Sequence, residues 1–211
     1  MTMESNMSYK VDIAVIGAGV IGLAVAARVA GKNRNVYVLE RGEAFGRETS
    51  SRNSGVIHAG IYYPEGSLKA MLCVKGNRML YDICKSYDIP HCRLGKLIVA
   101  AVDGETEQLN TLLERGQRSG AEGLRMISGK QLKSLEPDVE GVAALFSPST
   151  GIVDAHALMR YYLSQVQAEN AHIAFNTEVI GIERMSDDYR VSVKDSSGRF
   201  SVTSEIVINC A

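Results

Sequence analysis

Apolar and polar positions along this chain fall into blocks whose period changes. Val11 to Ile16 is a short apolar run, glycines follow, Ile21 to Ala30 carries apolar residues at helical spacing, and Val36 to Leu39 is apolar again. Runs of that length bounded by turn residues predict strand, tight turn, helix, loop and strand, a βαβ unit. Farther on, Leu68, Met71, Leu72, Met79, Leu80 and Ile83 are spaced for one apolar face of a helix predicted over 66–87. "HCRLGKLIVAAV" predicts a strand pair, Glu105 to Gly120 an amphipathic helix closed by glycine, and "SGKQLKSLEPDV" a capped short helix stopped by Pro137. "GVAALFSPSTGIVD" predicts strand and turn, after which Asp154 is placed to cap a helix over "AHALMRYYLSQVQAENA". Turn signals at Asp187-Asp188 and Ser196-Ser197-Gly198 divide the rest into a β-meander returning to the parallel sheet. Its last run, Ile206 to Ile208, has the β-branched character of a buried parallel strand.

This order predicts an α/β fold. A doubly wound domain, discontinuous in sequence, is expected over 11–87 and 151–211, with the first part of a second, α+β domain over 88–150.

The first turn carries chemistry. Gly17, Gly19 and Gly22 match G-x-G-x-x-G, where the first glycine permits the tight turn, the second lets backbone approach a pyrophosphate, and the third lets the helix pack on the sheet. The helix start offers free N–H groups and a positive dipole end to that anion. Glu40 ends the second strand 18 residues after Gly22, where a carboxylate accepts both hydroxyls of an adenosine ribose and disfavours a 2′-phosphate. The motif therefore points to NAD or FAD rather than NADP. The segment that follows, "RGEAFGRETSSRNSGVIHAGIYYPEGSLKA", is rich in Ser, Asn, Gly and Arg, a composition suited to an extended loop around a polar ligand. A long ligand-covering excursion at this place is more like a flavoprotein than an NAD enzyme.

Four strings, "VIGAGVIGLAVA", "VLERG", "TSSRNSGVIHAGIYYPEGSLKAMLCVKG" and "SPSTGIVDAHAL", resemble the D-amino-acid oxidase and glycerol-3-phosphate dehydrogenase superfamily, most closely its L-2-hydroxyglutarate dehydrogenase/oxidase branch. The resemblance runs from about Val11 to Ala211. It implies a Rossmann-like FAD-binding domain of the GR2 flavoprotein type, incomplete, with part of an α+β substrate domain. It implies FAD with its pyrophosphate at Gly17, Gly19 and Gly22 and its ribose at Glu40 and Arg41. Thr49, Ser50, Ser51, Arg52, Asn53, Ser54 and Gly55 would line the passage from the diphosphate to the isoalloxazine, and the backbone of Val179 would meet adenine. It also implies that the strand ending "IVINCA" leads into a further loop, more sheet and a closing C-terminal segment, so the chain is expected to be C-terminally truncated. The expected reaction takes L-2-hydroxyglutarate to 2-oxoglutarate by hydride transfer to flavin, with a quinone, another acceptor or oxygen reoxidising it. A related amine or glycerol-3-phosphate oxidoreductase is the alternative enzyme. An inactive fragment, or one half of a split protein needing a complementary chain, is the alternative of another class.

His58 is the candidate base, because an imidazole near neutral pKa suits removal of the hydroxyl proton. The competing reading is a buried histidine bonded to a backbone carbonyl. Tyr62 and Tyr63 could hold a substrate carboxylate through their hydroxyls, although core packing of at least one is expected. Lys69 could neutralise an anionic substrate or be solvated.

Composition narrows the partners. The 211 residues are 45% apolar with a formal charge of −1, which gives no electrostatic footprint for nucleic acid and none for an anionic membrane, although a peripheral membrane contact need not show in sequence. "MTMESNMSYK" has no apolar signal region, and no membrane span is read. Cys73, Cys84, Cys92 and Cys210 form no C-x-x-C and are expected as reduced thiols of a cytoplasmic protein. No metal site is expected, since His91, His156 and His172 lack partners at ligand spacing.

Overall fold

The computed structural model describes residues 8–31, 33–169 and 171–211. The amino-terminal stretch read for a signal region lies mostly outside them. The first part of the chain runs β1 (Ser8–Ile16), α1 (Val20–Val29), β2 (Val36–Leu39), a 3-10 turn at Thr49–Arg52, and β3 (Val56–Ile57). The middle carries α2 (Leu68–Ser86), β4 (His91–Cys92), β5 (Lys96–Ala100), α3 (Thr106–Arg118), β6 (Arg125–Ser128), α4 (Gly129–Leu135), β7 (Ala143–Ser147) and β8 (Gly151–Val153). Then come α5 (Ala155–Ala168), β9 (His172–Ala174), β10 (Glu178–Arg184), β11 (Tyr189–Asp195) and β12 (Gly198–Asn209).

Two compact units emerge, one of residues up to Asn53 together with Ala155–Ala211, the other Ser54–Asp154. The division falls after Asn53 rather than after Tyr87, because α2 is bound into the second unit. Asn77 donates to the carbonyls of His58 and Ser149, both at 2.9 Å, and Tyr81 Oη donates to the Ser149 carbonyl at 3.2 Å.

In the first unit six strands are ordered β10-β11-β12-β1-β2-β9. β1 pairs in parallel with both β12 and β2, while β10, β11 and β12 form the antiparallel meander. Alternate residues of β1 and β2, among them Ile13, Val15, Val36 and Val38, pack on Leu23 and Ala26 of α1 and on Met159 and Val166 of α5. Burial of each of these larger aliphatic side chains contributes about 2 kcal/mol. The opposite core gathers Val11, Leu39, Val191, Val193 and Val202. The Ile206–Ile208 run pairs in parallel with β1 as expected but is not fully buried: Ile206 is 50% exposed, and Val207 and Ile208 are half-buried.

The second unit holds two antiparallel sheets, β3-β8-β4 and β5-β7-β6. The strand pair expected in "HCRLGKLIVAAV" is therefore split, since β4 pairs with β8 and β5 with β7. α3 lays Leu109 into a core with Ile61, Ala100 and Leu145, and α4 carries a full capping box between Ser128 and Gln131.

The expected face of α2 is also corrected. Leu68, Met71, Leu72 and Met79 are exposed, and Ala70, Asn77, Tyr81 and Cys84 are buried instead. Small residues let the helix approach closely, and the internal hydrogen bonds of Asn77 and Tyr81 remove the usual cost of burying them. Among the described residues no helix is long and apolar enough to cross a membrane.

Candidate functional site

β1 ends at Ile16 and α1 starts at Val20, so the chain reverses within Gly17-Ala18-Gly19. Gly17 lies at φ +96°, a region that side chains avoid. A Cβ on Gly22 would run into the Gly17 carbonyl oxygen, so helix and turn meet this closely only with glycine there. Gly19, the N-cap of α1, brings no side-chain acceptor to the helix start. Ser50 does so from thirty residues away, its Oγ accepting the Val20 N–H at 3.0 Å. The Glu40 carboxylate is fixed from two sides, Oε2 by the Ala18 N–H and Oε1 by the Gly42 N–H, each at 2.7 Å. A carboxylate has further lone pairs, so it retains capacity for ribose hydroxyls. Cradle, hydroxyl and strand-end carboxylate together fit the pyrophosphate and ribose of a dinucleotide.

A cavity of about 480 Å3 opens beside Glu40, lined also by Arg41, Arg47, Asn176, Glu178 and Lys194. Arg47, Asn176 and Lys194 were not legible as site residues. Asn176 alone carried a signal, an asparagine at a turn, and it adopts φ +53° while its N–H donates to the Gly42 carbonyl at 2.9 Å. Val179 packs its side chain into the sheet core, and its neighbour Glu178 reaches the cavity.

Thr49–Arg52 form a single 3-10 turn. Arg41 and Arg52 both pair with Glu48, at 3.2 and 3.9 Å, and Ser51 Oγ donates to the Glu48 carbonyl. The structure thus gathers Gly17, Gly19, Gly22, Glu40 and Ser50 into one cluster. Arg41, Thr49, Ser51, Arg52 and Asn53 lie exposed in the same unit. Ser54 and Gly55 belong to the second unit, where Gly55 at φ +67° accepts the Val153 N–H at 2.9 Å.

In that second unit His58 is exposed, not a buried structural histidine. Its carbonyl takes the hydrogen bond from Asn77, and among the described residues nothing bonds its ring. His58 lines a small cleft with Tyr62, Tyr63, Lys96 and Thr150, and the enclosed space is only about 10 Å3, so a ligand would rest over it. Partial desolvation lowers the imidazole pKa, and the positive charge of Lys96 lowers it further. Neither tyrosine is buried: Tyr62 is exposed and Tyr63 half-buried, each with a cation over its ring, Lys96 at 4.6 Å and Lys69 at 4.7 Å from the centroids. Lys96 went unread because a lone lysine at the head of an apolar run looks like a strand edge.

The remaining histidines are engaged elsewhere. His91 Nδ1 contacts the Ile89 carbonyl at 2.7 Å, and His156 and His172 pack on the rings of Phe45 and Tyr37. All four cysteines are free, and burial pushes the thiols of Cys73, Cys84 and Cys210 up. Among the described residues no group of three or more His, Cys, Asp or Glu side chains is arranged to hold a metal.

Comparison with known proteins gives a consistent picture. The family model for FAD dependent oxidoreductases matches residues 12–211. The chain is 39% identical to the mitochondrial L-2-hydroxyglutarate dehydrogenase of Arabidopsis thaliana, over 94% of this chain and 44% of that one. It is 37% identical to the L-2-hydroxyglutarate dehydrogenase of Indibacter alkaliphilus, over 95% and 50%. Among solved structures it is similar to L-alpha-glycerophosphate oxidase from Mycoplasma pneumoniae with FAD bound, with a TM-score of 0.85 and 28% identity, covering 94% of this chain and 53% of that one. The chain spans about half the length of the curated relatives it matches.

Proposed function

The chain belongs to the FAD dependent oxidoreductase family, and on that premise we propose that it carries the dinucleotide-binding region of an enzyme oxidising L-2-hydroxyglutarate to 2-oxoglutarate. The observation carrying the proposal is the cluster at the end of β1, where the glycine turn, the Ser50 hydroxyl and the doubly anchored Glu40 carboxylate meet. Its identity to L-2-hydroxyglutarate dehydrogenases supports the substrate.

The N–H groups at the start of α1 that Ser50 leaves free, with the Ser50 hydroxyl, would hold the pyrophosphate, and Glu40 with Arg41 would hold the ribose. Thr49 to Gly55 would line the passage toward the cofactor's reactive end, and the Val179 backbone would meet adenine. FAD bound there supplies the two-electron acceptor for the hydride leaving substrate C2. His58 takes the hydroxyl proton on a ring nitrogen, a role that needs its neutral form, and the lowered pKa favours that form. Tyr62, Tyr63 and Lys69 orient the substrate carboxylates. The substrate leaves as 2-oxoglutarate with the proton on His58, and the two electrons would pass to bound FAD and on to a quinone or oxygen. We place it in a reducing, cytoplasmic setting, which cysteine spacings without a C-x-x-C suit.

The likeness to a glycerophosphate oxidase favours one second reading, oxidation of glycerol 3-phosphate on the same scaffold. Anaerobic addition of each compound to the FAD-loaded protein separates the two. Loss of the flavin absorbance with L-2-hydroxyglutarate alone is expected, and loss with glycerol 3-phosphate alone would replace the first reading by the second.

A further inference from the structure

We infer that Lys96 is the anion-holding residue of the His58 cleft, taking a carboxylate of the substrate beside the imidazole. The inference rests on the reaction proposed above and adds the group that reads the substrate's charge. Lys96 and His58 line the same cleft, and no carboxylate is among the lining residues. Among the described residues the Lys96 ammonium has no acidic partner; it is held 4.6 Å from the centroid of the Tyr62 ring. Glu65, the first carboxylate along the chain after His58, is already paired with Arg118 at 3.4 Å. A half-buried ammonium poised on an aromatic face without a counter-ion is a ready position for an anion, since the ring contact costs little to exchange for a charge-assisted hydrogen bond.

Its neighbourhood gives the position a consequence for catalysis. The titratable groups of its cleft are Lys96 from β5 and Tyr62 and Tyr63 from its own loop; from α2, the Cys73 thiol meets the His58 carbonyl and Lys69 lies over the Tyr63 ring. The Lys96 charge disfavours a proton on the imidazole. A carboxylate bound at Lys96 cancels that field, so proton affinity of His58 rises once substrate is in place. The base is thus kept unprotonated before binding and strengthened by it.

The test uses the full chain and glutarate, a dicarboxylate with no oxidisable hydroxyl. The imidazole C–H resonances of the four histidines are followed by NMR against pH, with His58→Gln assigning the relevant one. In the unsubstituted chain glutarate is expected to move the His58 titration to higher pH. In Lys96→Met it is expected to titrate higher from the outset, to respond little to glutarate, and to bind glutarate about tenfold to a hundredfold more weakly. Lys96→Arg, which keeps the charge, should behave like the parent and controls for folding. Glutarate without effect on the parent overturns the inference, as does an unchanged His58 titration or glutarate affinity in Lys96→Met. Neither readout involves oxidation, so these shifts without L-2-hydroxyglutarate turnover would defeat the proposed reaction and leave the anion site standing. Turnover without the shifts would do the reverse.

Discussion

The Gly17 turn and the His58 cleft are built on different principles. At the turn, backbone defines the site: a positive φ at Gly17, a forbidden Cβ at Gly22, and N–H groups of Ala18, Val20 and Gly42 that meet side-chain acceptors. At the cleft, side chains define it, with two cations resting on two adjacent tyrosine rings beside an exposed imidazole. The first arrangement suits a ligand whose shape is fixed. The second is adjustable, suited to a step in which a proton moves.

If that contrast is right, substitutions in the two regions separate binding from chemistry. The largest effect is expected from His58→Gln, which should lower the rate of anaerobic flavin reduction by L-2-hydroxyglutarate about 10²–10⁴-fold while leaving FAD affinity unchanged. Glu40→Gln should act on the other side. An amide nitrogen cannot accept, so one of the N–H groups of Ala18 and Gly42 loses its partner, costing about 1–3 kcal/mol of stability by chemical denaturation and about tenfold in FAD affinity. Ser50→Ala removes the acceptor at the Val20 N–H; about 1 kcal/mol and a several-fold loss of FAD affinity, read by flavin fluorescence, are expected.

The smallest effect is a dependence of stability on pH. Folding lowers the His58 pKa, so below its ordinary value of 6.5 the unfolded chain binds more protons than the folded one. Stability contributed by the neutral imidazole is therefore present above that value and is lost as pH falls through it toward the lower folded value. The thermal midpoint should drop less on acidification in His58→Gln than in the parent. An equal drop would place the acid sensitivity elsewhere.

The same contrast decides what the sequence made legible. The βαβ unit was readable in its order and its turn, with β2 at Val36–Leu39 and α1 beginning at Val20 rather than Ile21, because glycine spacing and apolar period both report backbone requirements; β1 starts at Ser8 rather than Val11, since its polar first residues carry no apolar signal. α2 was readable as a helix but not in its orientation: hydropathy favoured Leu68, Met71, Leu72 and Met79, whereas hydrogen bonds from Asn77 and Tyr81 turned the polar side inward. Likewise β4 and β5 were visible as strands, yet their partners β8 and β7 lie roughly forty to sixty residues away and no local pattern names them. Ser50 could be named as a loop residue without its bond to Val20, and Lys96 could not be named at all. Long-range side-chain meetings leave no period in a sequence.

Whether the backbone of the glycine turn holds FAD is decided by the FAD dissociation constant of Gly22→Ala against that of Gly104→Ala. A Cβ at Gly104 meets nothing within 4 Å, whereas one at Gly22 meets the Gly17 carbonyl, so the pair differs in the turn and not in the substitution. The expected result is parental affinity for Gly104→Ala and at least a tenfold loss for Gly22→Ala, with secondary structure retained in both. Equal affinities would mean that the turn does not hold FAD.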